Sequence, residues 1–215
     1  MPARSAADLL NFHMEGLPFS LGEGVCIVGG AVTDALRWEH CGGPVPVLRD
    51  LDIYPGDSWA ALEAALGGAD GWEFTNKPTS VPEVGPTRQV WRSADGVIVD
   101  MIGKRAPTVA DLLARFDIDV CKVAFDGTRF HEQYNAREAI RGGVATGVRS
   151  LIAKRVAKHE AKGYAVVEPY RRAPHNCPWK FCIGEYGEPD WYVYLASLPL
   201  AERLKYTGAV LRVAE

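Results

Sequence analysis

No stretch of this chain is apolar for long enough to span a bilayer, and no secretory leader opens it. Both absences lead to the expectation of a cytoplasmic protein. Charge of one sign is also scarce, since 24 Lys and Arg against 27 Asp and Glu leave a net charge of −3. That balance argues against a large non-specific nucleic-acid surface, though a local basic patch remains open. The five cysteines, at 26, 41, 121, 177 and 182, are odd in number and scattered. They offer no C-x₂-C pair, so His175, Cys177 and Cys182 give only a faint hint of zinc. Cys26 and Cys121 lie in apolar runs and read as core thiols, which suits a reducing compartment. Internal repeats and low-complexity tracts are absent as well. What remains is 215 residues, 47% hydrophobic with six Trp, enough for a real core in one domain or one and a half.

The elements read in order. Residues 5–15 suit a helix capped by Ser5, with Leu9, Leu10 and Phe12 facing inward. Residues 25–28 read as a buried strand, and Ala31 to Trp38 as a helix broken by the run from His40 to Pro44. Residues 48–54 read as a strand, and Ser58 to Leu66 as a helix closed by Gly67-Gly68. Residues 72–75 suit a strand, and Asn76 to Pro86, with three prolines, a loop. Gln89–Arg92 and Val97–Ile102 form a hairpin around Ala94-Asp95-Gly96. Thr108 caps a short helix to Arg115. Residues 117–125 read as another apolar strand. Asn135 to Arg141 and residues 149–162 read as helices ended by Gly142-Gly143 and Gly163. From Tyr164 onward the chain is rich in Pro, Tyr and Trp. The expectation is a mixed α/β (α+β) core over residues 1–145, its sheet flanked by helices, with a short helical and aromatic-rich extension over 146–215.

The chemistry concentrates in Asp50-Leu51-Asp52. Side chains two apart on a strand point the same way, so Asp50 and Asp52 project together. Two such carboxylates repel unless protonated or bridged, and a hard divalent ion is the natural bridge. Upstream, Gly29-Gly30 ends a strand-like run and opens a helix-like one, an arrangement that suits a phosphate resting on backbone N–H groups. A third carboxylate, Asp100, sits alone in Val97-Ile98-Val99-Asp100-Met101-Ile102, where an unpaired charge costs several kcal/mol. An edge strand showing Asp100 to water is the bland alternative, and a three-carboxylate metal site is the sharper one. Lys154, Lys158 and Lys162 recur at i, i+4 and i+8, with Arg155 beside them and Ile152 and Val156 on the opposing stripe. Such a row is either a solvated face or a cationic wall for a triphosphate or an RNA backbone. Tyr186, Trp191, Tyr192 and Tyr194 read as core or interface aromatics, with base stacking as the alternative.

Three stretches carry a family resemblance: Gly29-Gly30-Ala31-Val32-Thr33-Asp34-Ala35-Leu36, Arg49-Asp50-Leu51-Asp52-Ile53-Tyr54 and Val99-Asp100-Met101. Together they resemble the DNA-polymerase-β-like nucleotidyltransferases, closest to the head domains of CCA-adding enzymes and bacterial poly(A) polymerases. Phe116-Asp117-Ile118-Asp119 resembles the strand that carries an Arg-Asp-Phe-Thr motif in those heads. Residues 25–162 also resemble small nucleotidyltransferases of phages and large DNA viruses. The resemblance implies a nucleotidyltransferase fold and two Mg²⁺ (or Mn²⁺) ions on Asp50 and Asp52. Asp100 would hold the ion that activates an acceptor hydroxyl, and Gly29 and Gly30 would cradle the triphosphate of an NTP such as ATP. Asp117 would be a hydrogen-bonding partner within the site or its neighbouring loop, with plain structure as the alternative. The implied activity moves an NMP onto a hydroxyl acceptor, an RNA 3′ end being favoured.

Three departures stand out. Thr33 replaces the usual Arg before the helix Asp. Nineteen residues separate Gly30 from Asp50, so His40 to Val47 reads as an inserted loop, and Phe116 replaces the later motif's leading Arg. The first and third weaken the expected phosphate and nucleotide contacts, yet none removes a carboxylate. The resemblance covers a head domain and not the neck, body and tail of a complete CCA-adding enzyme. Two rivals stay open: an inactive nucleotide- or RNA-binding module, and an antibiotic-type nucleotidyltransferase acting on a small molecule.

Overall fold

The computed structural model describes residues 4–22, 24–75, 80–81, 85–86, 88–102, 106–133, 135–147 and 153–167. The chain divides into two compact units, one of residues 1–115 with 123–132, the other of 116–122 with 133–215.

In the first unit, α1 (Ala6–Met14) starts at Ser5, whose hydroxyl accepts the Asp8 N–H at 3.1 Å. Strand β1 (Cys26–Val28) runs into α2 (Gly30–Cys41), and β2 (Asp50–Tyr54) follows. Helix α3 (Trp59–Gly68) leads to β3 (Trp72–Phe74). Within the segment expected as a proline loop, β4 (Ser80–Val81) and β5 (Gly85–Pro86) pair antiparallel. The expected hairpin is present as β6 (Arg88–Ser93) and β7 (Ile98–Ile102). Helix α4 (Val109–Ala114) is capped by Thr108, and β8 (Val123–Phe125) and β9 (Phe130–Glu132) close the unit.

Seven strands form one sheet in the order β3-β6-β7-β2-β1-β8-β9. Every pairing is antiparallel except β2 with β7. The fold is therefore a mixed α+β one, a mostly antiparallel sheet flanked by helices. The core follows from period-two alternation: Leu51, Ile53, Val99 and Met101 share one face and are buried. Helix α2 packs on β1, β2 and β8, and α1 packs on α2.

The second unit holds a 3₁₀ turn at Asp119–Cys121, α5 (Ala136–Gly142), β10 (Val144–Thr146), α6 (Ala153–Ala161) and β11 (Ala165–Val167). Strands β10 and β11 pair in parallel. Ile118, Val120, Ala139, Ile140 and Val144 form its apolar core.

Four expectations need correction. Phe12 is exposed rather than inward-facing, because α1 buries Ala6, Leu9, Leu10 and Met14 instead. Helix α2 runs on through Cys41, and α3 runs through both glycines expected to end it. A Cβ at Gly67 would make only an ordinary contact with the Trp91 ring, at 3.5 Å, and the helix backbone there is not strained. The apolar strand expected over 117–125 is split, with only Val123–Phe125 extended. The cause is Asp119, whose buried Oδ1 accepts the N–H groups of Val120 (2.7 Å) and Thr146 (2.8 Å) and holds a turn there. Residues 149–152 of the expected basic helix, and everything after Val167, lie outside the described residues, including His175, Cys177, Cys182 and the aromatics at 186–194. Among the described residues, no helix is long and apolar enough to cross a membrane.

Candidate active site

Strand β1 ends at Gly29, whose φ of 67° and ψ of −128° suit glycine and few other residues. That geometry turns the chain from strand into helix without an intervening loop. The Gly29 N–H donates to the Val123 carbonyl at 2.9 Å, fixing the turn to the neighbouring strand. The Gly29 carbonyl accepts both the Thr33 N–H (3.0 Å) and the Thr33 hydroxyl (2.9 Å). No side chain caps α2 and no acidic residue lies in its first turn. Its leading N–H groups and dipole therefore present a positive end. Gly30 leaves that end open: a Cβ built there would have no atom within 4 Å.

Val28 lies opposite Asp52 across the β1–β2 pair, so the glycine turn sits beside the start of β2. On the other side of β2, Asp52 lies opposite Asp100 of β7. Residues directly opposite on adjacent strands share a face, and so do residues two apart. Asp50, Asp52 and Asp100 therefore occupy one face of the sheet, opposite the buried Leu51, Ile53, Val99 and Met101. Asp50 is exposed, Asp52 half-buried and Asp100 buried.

The same register brings in a residue that the sequence reading did not single out. Val90 lies opposite Asp100, so Arg88, two residues earlier on β6, shares the carboxylate face. Its Nε lies 2.9 Å from Asp100 Oδ1 and 3.0 Å from Oδ2, and its Nη2 donates to Oδ2. This guanidinium takes both oxygens of a nearly buried carboxylate, while its own side chain stays 57% exposed. Hydrogen bonding to Asp100 pushes the Arg88 pKa up, and the charges of Asp100, Asp52 and Asp50 add to that. The available signal was the hairpin itself: counting back from the Ala94-Asp95-Gly96 turn places Arg88 on the Asp100 face.

Among the described residues, no group of three or more His, Cys, Asp and Glu side chains is gathered closely enough to hold a metal ion. Asp100 is engaged by Arg88. The donor set nevertheless fits a hard divalent cation, since all three groups offer carboxylate oxygens from one face.

Asp117, Lys154 and Lys158 belong to the second unit and are placed within it alone. Asp117 receives a bidentate pair from Arg155 of α6, at 2.8 and 2.7 Å. Lys154 and Lys158 are exposed on α6. The buried side chain of that helix is His159 rather than the expected Val156, which is only half-buried. Burial pulls the His159 pKa down to about 4, and Lys162, Arg155 and Lys158 pull it the same way. Its Nε2 lies 3.9 Å from the Cys121 sulfur, and burial pushes that thiol up to about 12. Cys26 is likewise a buried thiol, pushed up to about 11 chiefly by burial. Neither cysteine is poised as a nucleophile.

No protein-family model matches the chain. No curated protein matches it either. Among solved structures it is similar to a CCA-adding enzyme in complex with CTP, at 17% identity and a TM-score of 0.41 over 58% of this chain. It is also similar to a tRNA-processing enzyme in an apo form, at 19% identity and a TM-score of 0.42 over 67% of this chain. The matched parts are 29% and 36% of those two proteins, so this chain spans about a third of their length.

Proposed function

We propose that this chain is a metal-dependent nucleotidyltransferase that moves an NMP from an NTP to a hydroxyl acceptor and releases pyrophosphate. One observation carries the reading: three carboxylates share a sheet face beside a glycine turn that opens a helix N-terminus. Acid and phosphate-receiving groups so placed are what a triphosphate needs at its two ends.

In this reading Asp50 and Asp52 would hold two Mg²⁺ or Mn²⁺ ions, and Asp100 would help hold the one that activates the acceptor hydroxyl. When bound, the ions supply positive charge against the developing charge on the attacking and leaving oxygens. The N–H groups at Gly30 and the following turn of α2 receive phosphate oxygens. The acceptor oxygen bonds to the α-phosphorus and gives up its proton to solvent, while the bond from the α-phosphorus to the α,β-bridging oxygen breaks and that oxygen leaves as part of pyrophosphate. The catalytic core spans residues 1–145, with 146–215 as its extension. Lys154 and Lys158 would add positive potential for the NTP or an RNA backbone, supported by their charge and exposure. Asp117 would act indirectly, orienting Arg155 through their bidentate pair. An RNA 3′ end is the favoured acceptor. Cytoplasmic residence suits the buried free thiols of Cys26 and Cys121.

The Arg88–Asp100 pair favours a second reading, a nucleotide- or RNA-binding module without turnover, because it engages the third carboxylate. Incubation with each labelled NTP, Mg²⁺ or Mn²⁺, and pools of RNA, protein and metabolites separates the two. Label should enter one pool and pyrophosphate appear. Asp52→Asn, which keeps size and removes charge, should lower transfer by several orders of magnitude with the fold intact. NTP binding with no labelled pool would support the module instead. Label in small metabolites alone would point to the antibiotic-type activity.

A further inference from the structure

We propose that Arg88 is a positioning residue of this site: it holds Asp100 until a divalent cation arrives, then exchanges that carboxylate for a phosphate oxygen. The phosphate half of this statement rests on the nucleotidyltransferase reading, and the cation half does not.

The argument starts from Asp100. It is 6% exposed between the apolar Val99 and Met101. A carboxylate in that setting needs a cation or several donors to stay charged. Arg88 meets the need with Nε at 2.9 and 3.0 Å from the two oxygens, plus a bond from Nη2. Those bonds occupy the lone pairs that a metal ion would use. Because Arg88 bonds to both oxygens of Asp100, a divalent cation can reach this carboxylate only if at least one of those bonds breaks, and the two positive charges repel each other there. One must yield.

Arg88 is the partner able to yield. It is the first residue of β6, and its side chain is 57% exposed. Leaving Asp100 lets the guanidinium gain water, and more than half of the side chain is already exposed. It would also remain in the field of Asp50 and Asp52, which already acts on it. The site in turn has a use for a released cation on this face. The first turn of α2 runs Gly30-Ala31-Val32-Thr33 and carries no basic side chain, and the Thr33 hydroxyl is spent on the Gly29 carbonyl. At the head of α2 itself, only backbone N–H groups would then meet the phosphates, and bound divalent ions would offset only part of a triphosphate's charge of about four. Arginine matches phosphate oxygens as well as carboxylates, in the same forked geometry.

The test uses the full chain and reads Mn²⁺ binding by the free-ion EPR signal, without nucleotide. Arg88→Gln should bind Mn²⁺ about tenfold more tightly than wild type, because a competing positive charge leaves both Asp100 oxygens; a merely supporting role would instead make binding weaker. Adding Asp100→Asn should erase that gain. Arg88→Lys, which keeps the charge but not the fork, should fall between. Fluorescence titration with a non-hydrolysable NTP and Mn²⁺ should show the opposite order, Arg88→Gln binding nucleotide more weakly. Unchanged or weaker Mn²⁺ binding in both Arg88 variants, with each folded by circular dichroism, would overturn the exchange and leave Arg88 a fixed clamp. If the Mn²⁺ gain appears while no labelled pool is found, the cation exchange stands and the transfer reading fails. If nucleotide binding is unaffected despite the gain, the phosphate half is wrong.

Discussion

Two adjacent glycines should respond to the same substitution in opposite ways. Gly29 has φ 67° and ψ −128°, a region that a side chain occupies at a cost of about 1–3 kcal/mol. Gly30 stands in helical backbone, and a Cβ there meets no atom within 4 Å. Replacing a glycine at a compatible site stabilises by about 0.4–1 kcal/mol, by narrowing the unfolded ensemble. Gly29→Ala and Gly30→Ala should thus differ by about 1.5–4 kcal/mol, the first less stable than wild type and the second equal or better. With a urea slope of about 2 kcal/mol/M, their midpoints should lie about 1–2 M apart. Tryptophan fluorescence can follow the transition, as the chain has six Trp. Function should divide differently. A methyl at Gly30 enters the open space at the head of α2, so Gly30→Ala should weaken NTP binding while the fold is kept. Gly29→Ala melting with wild type would refute the argument from backbone strain. Full NTP affinity in Gly30→Ala would place the phosphates elsewhere.

Two further outcomes concern the second unit. Lys154→Ala with Lys158→Ala should leave thermal stability unchanged, as both are exposed, and should weaken NTP or RNA binding more at low salt than at high; binding unchanged at every salt concentration would make the row a solvated face. His159 is buried with its pKa lowered to about 4, so the unfolded chain binds its proton first as pH falls. The stability it confers is therefore present above about 6.5 and is lost progressively between about 6.5 and 4, by up to about 3 kcal/mol. Chemical denaturation across that range should show the decline, and His159→Gln should flatten it.

The carboxylate face was legible because two periodicities suffice to build it. Asp-Leu-Asp on an apolar strand puts Asp50 and Asp52 on one side, and a charge isolated among Val99 and Met101 announces a partner. The glycine turn was legible for a similar reason, since a diglycine between an apolar run and a helical pattern has few other uses. What escaped depends on contacts between segments far apart in sequence. Arg88 acquires its meaning only through the strand beside it. The break at Asp119 is held by the Thr146 N–H, which lies beyond α5. Phe12 sits outward because α1 packs through Leu9, Leu10 and Met14, a choice made by α2 rather than by α1's own pattern. The end of α3 slipped because a glycine in a helix costs only about 1 kcal/mol against alanine, which burial of Trp59, Leu62 and Leu66 outweighs.

The single parallel pairing of the seven-stranded sheet has a kinetic consequence. Asp52 and Asp100 are 48 positions apart along the chain, yet they lie side by side on β2 and β7. A contact of that span closes a large loop, and such contacts form late in folding. During synthesis Asp50 and Asp52 therefore emerge as a bare acidic pair long before β7 arrives with Asp100. The β6–β7 hairpin can form locally and carry Arg88 already facing Asp100. The third carboxylate would then dock against β2 with its charge already matched, and the acidic face need never close as three unpaired negative groups.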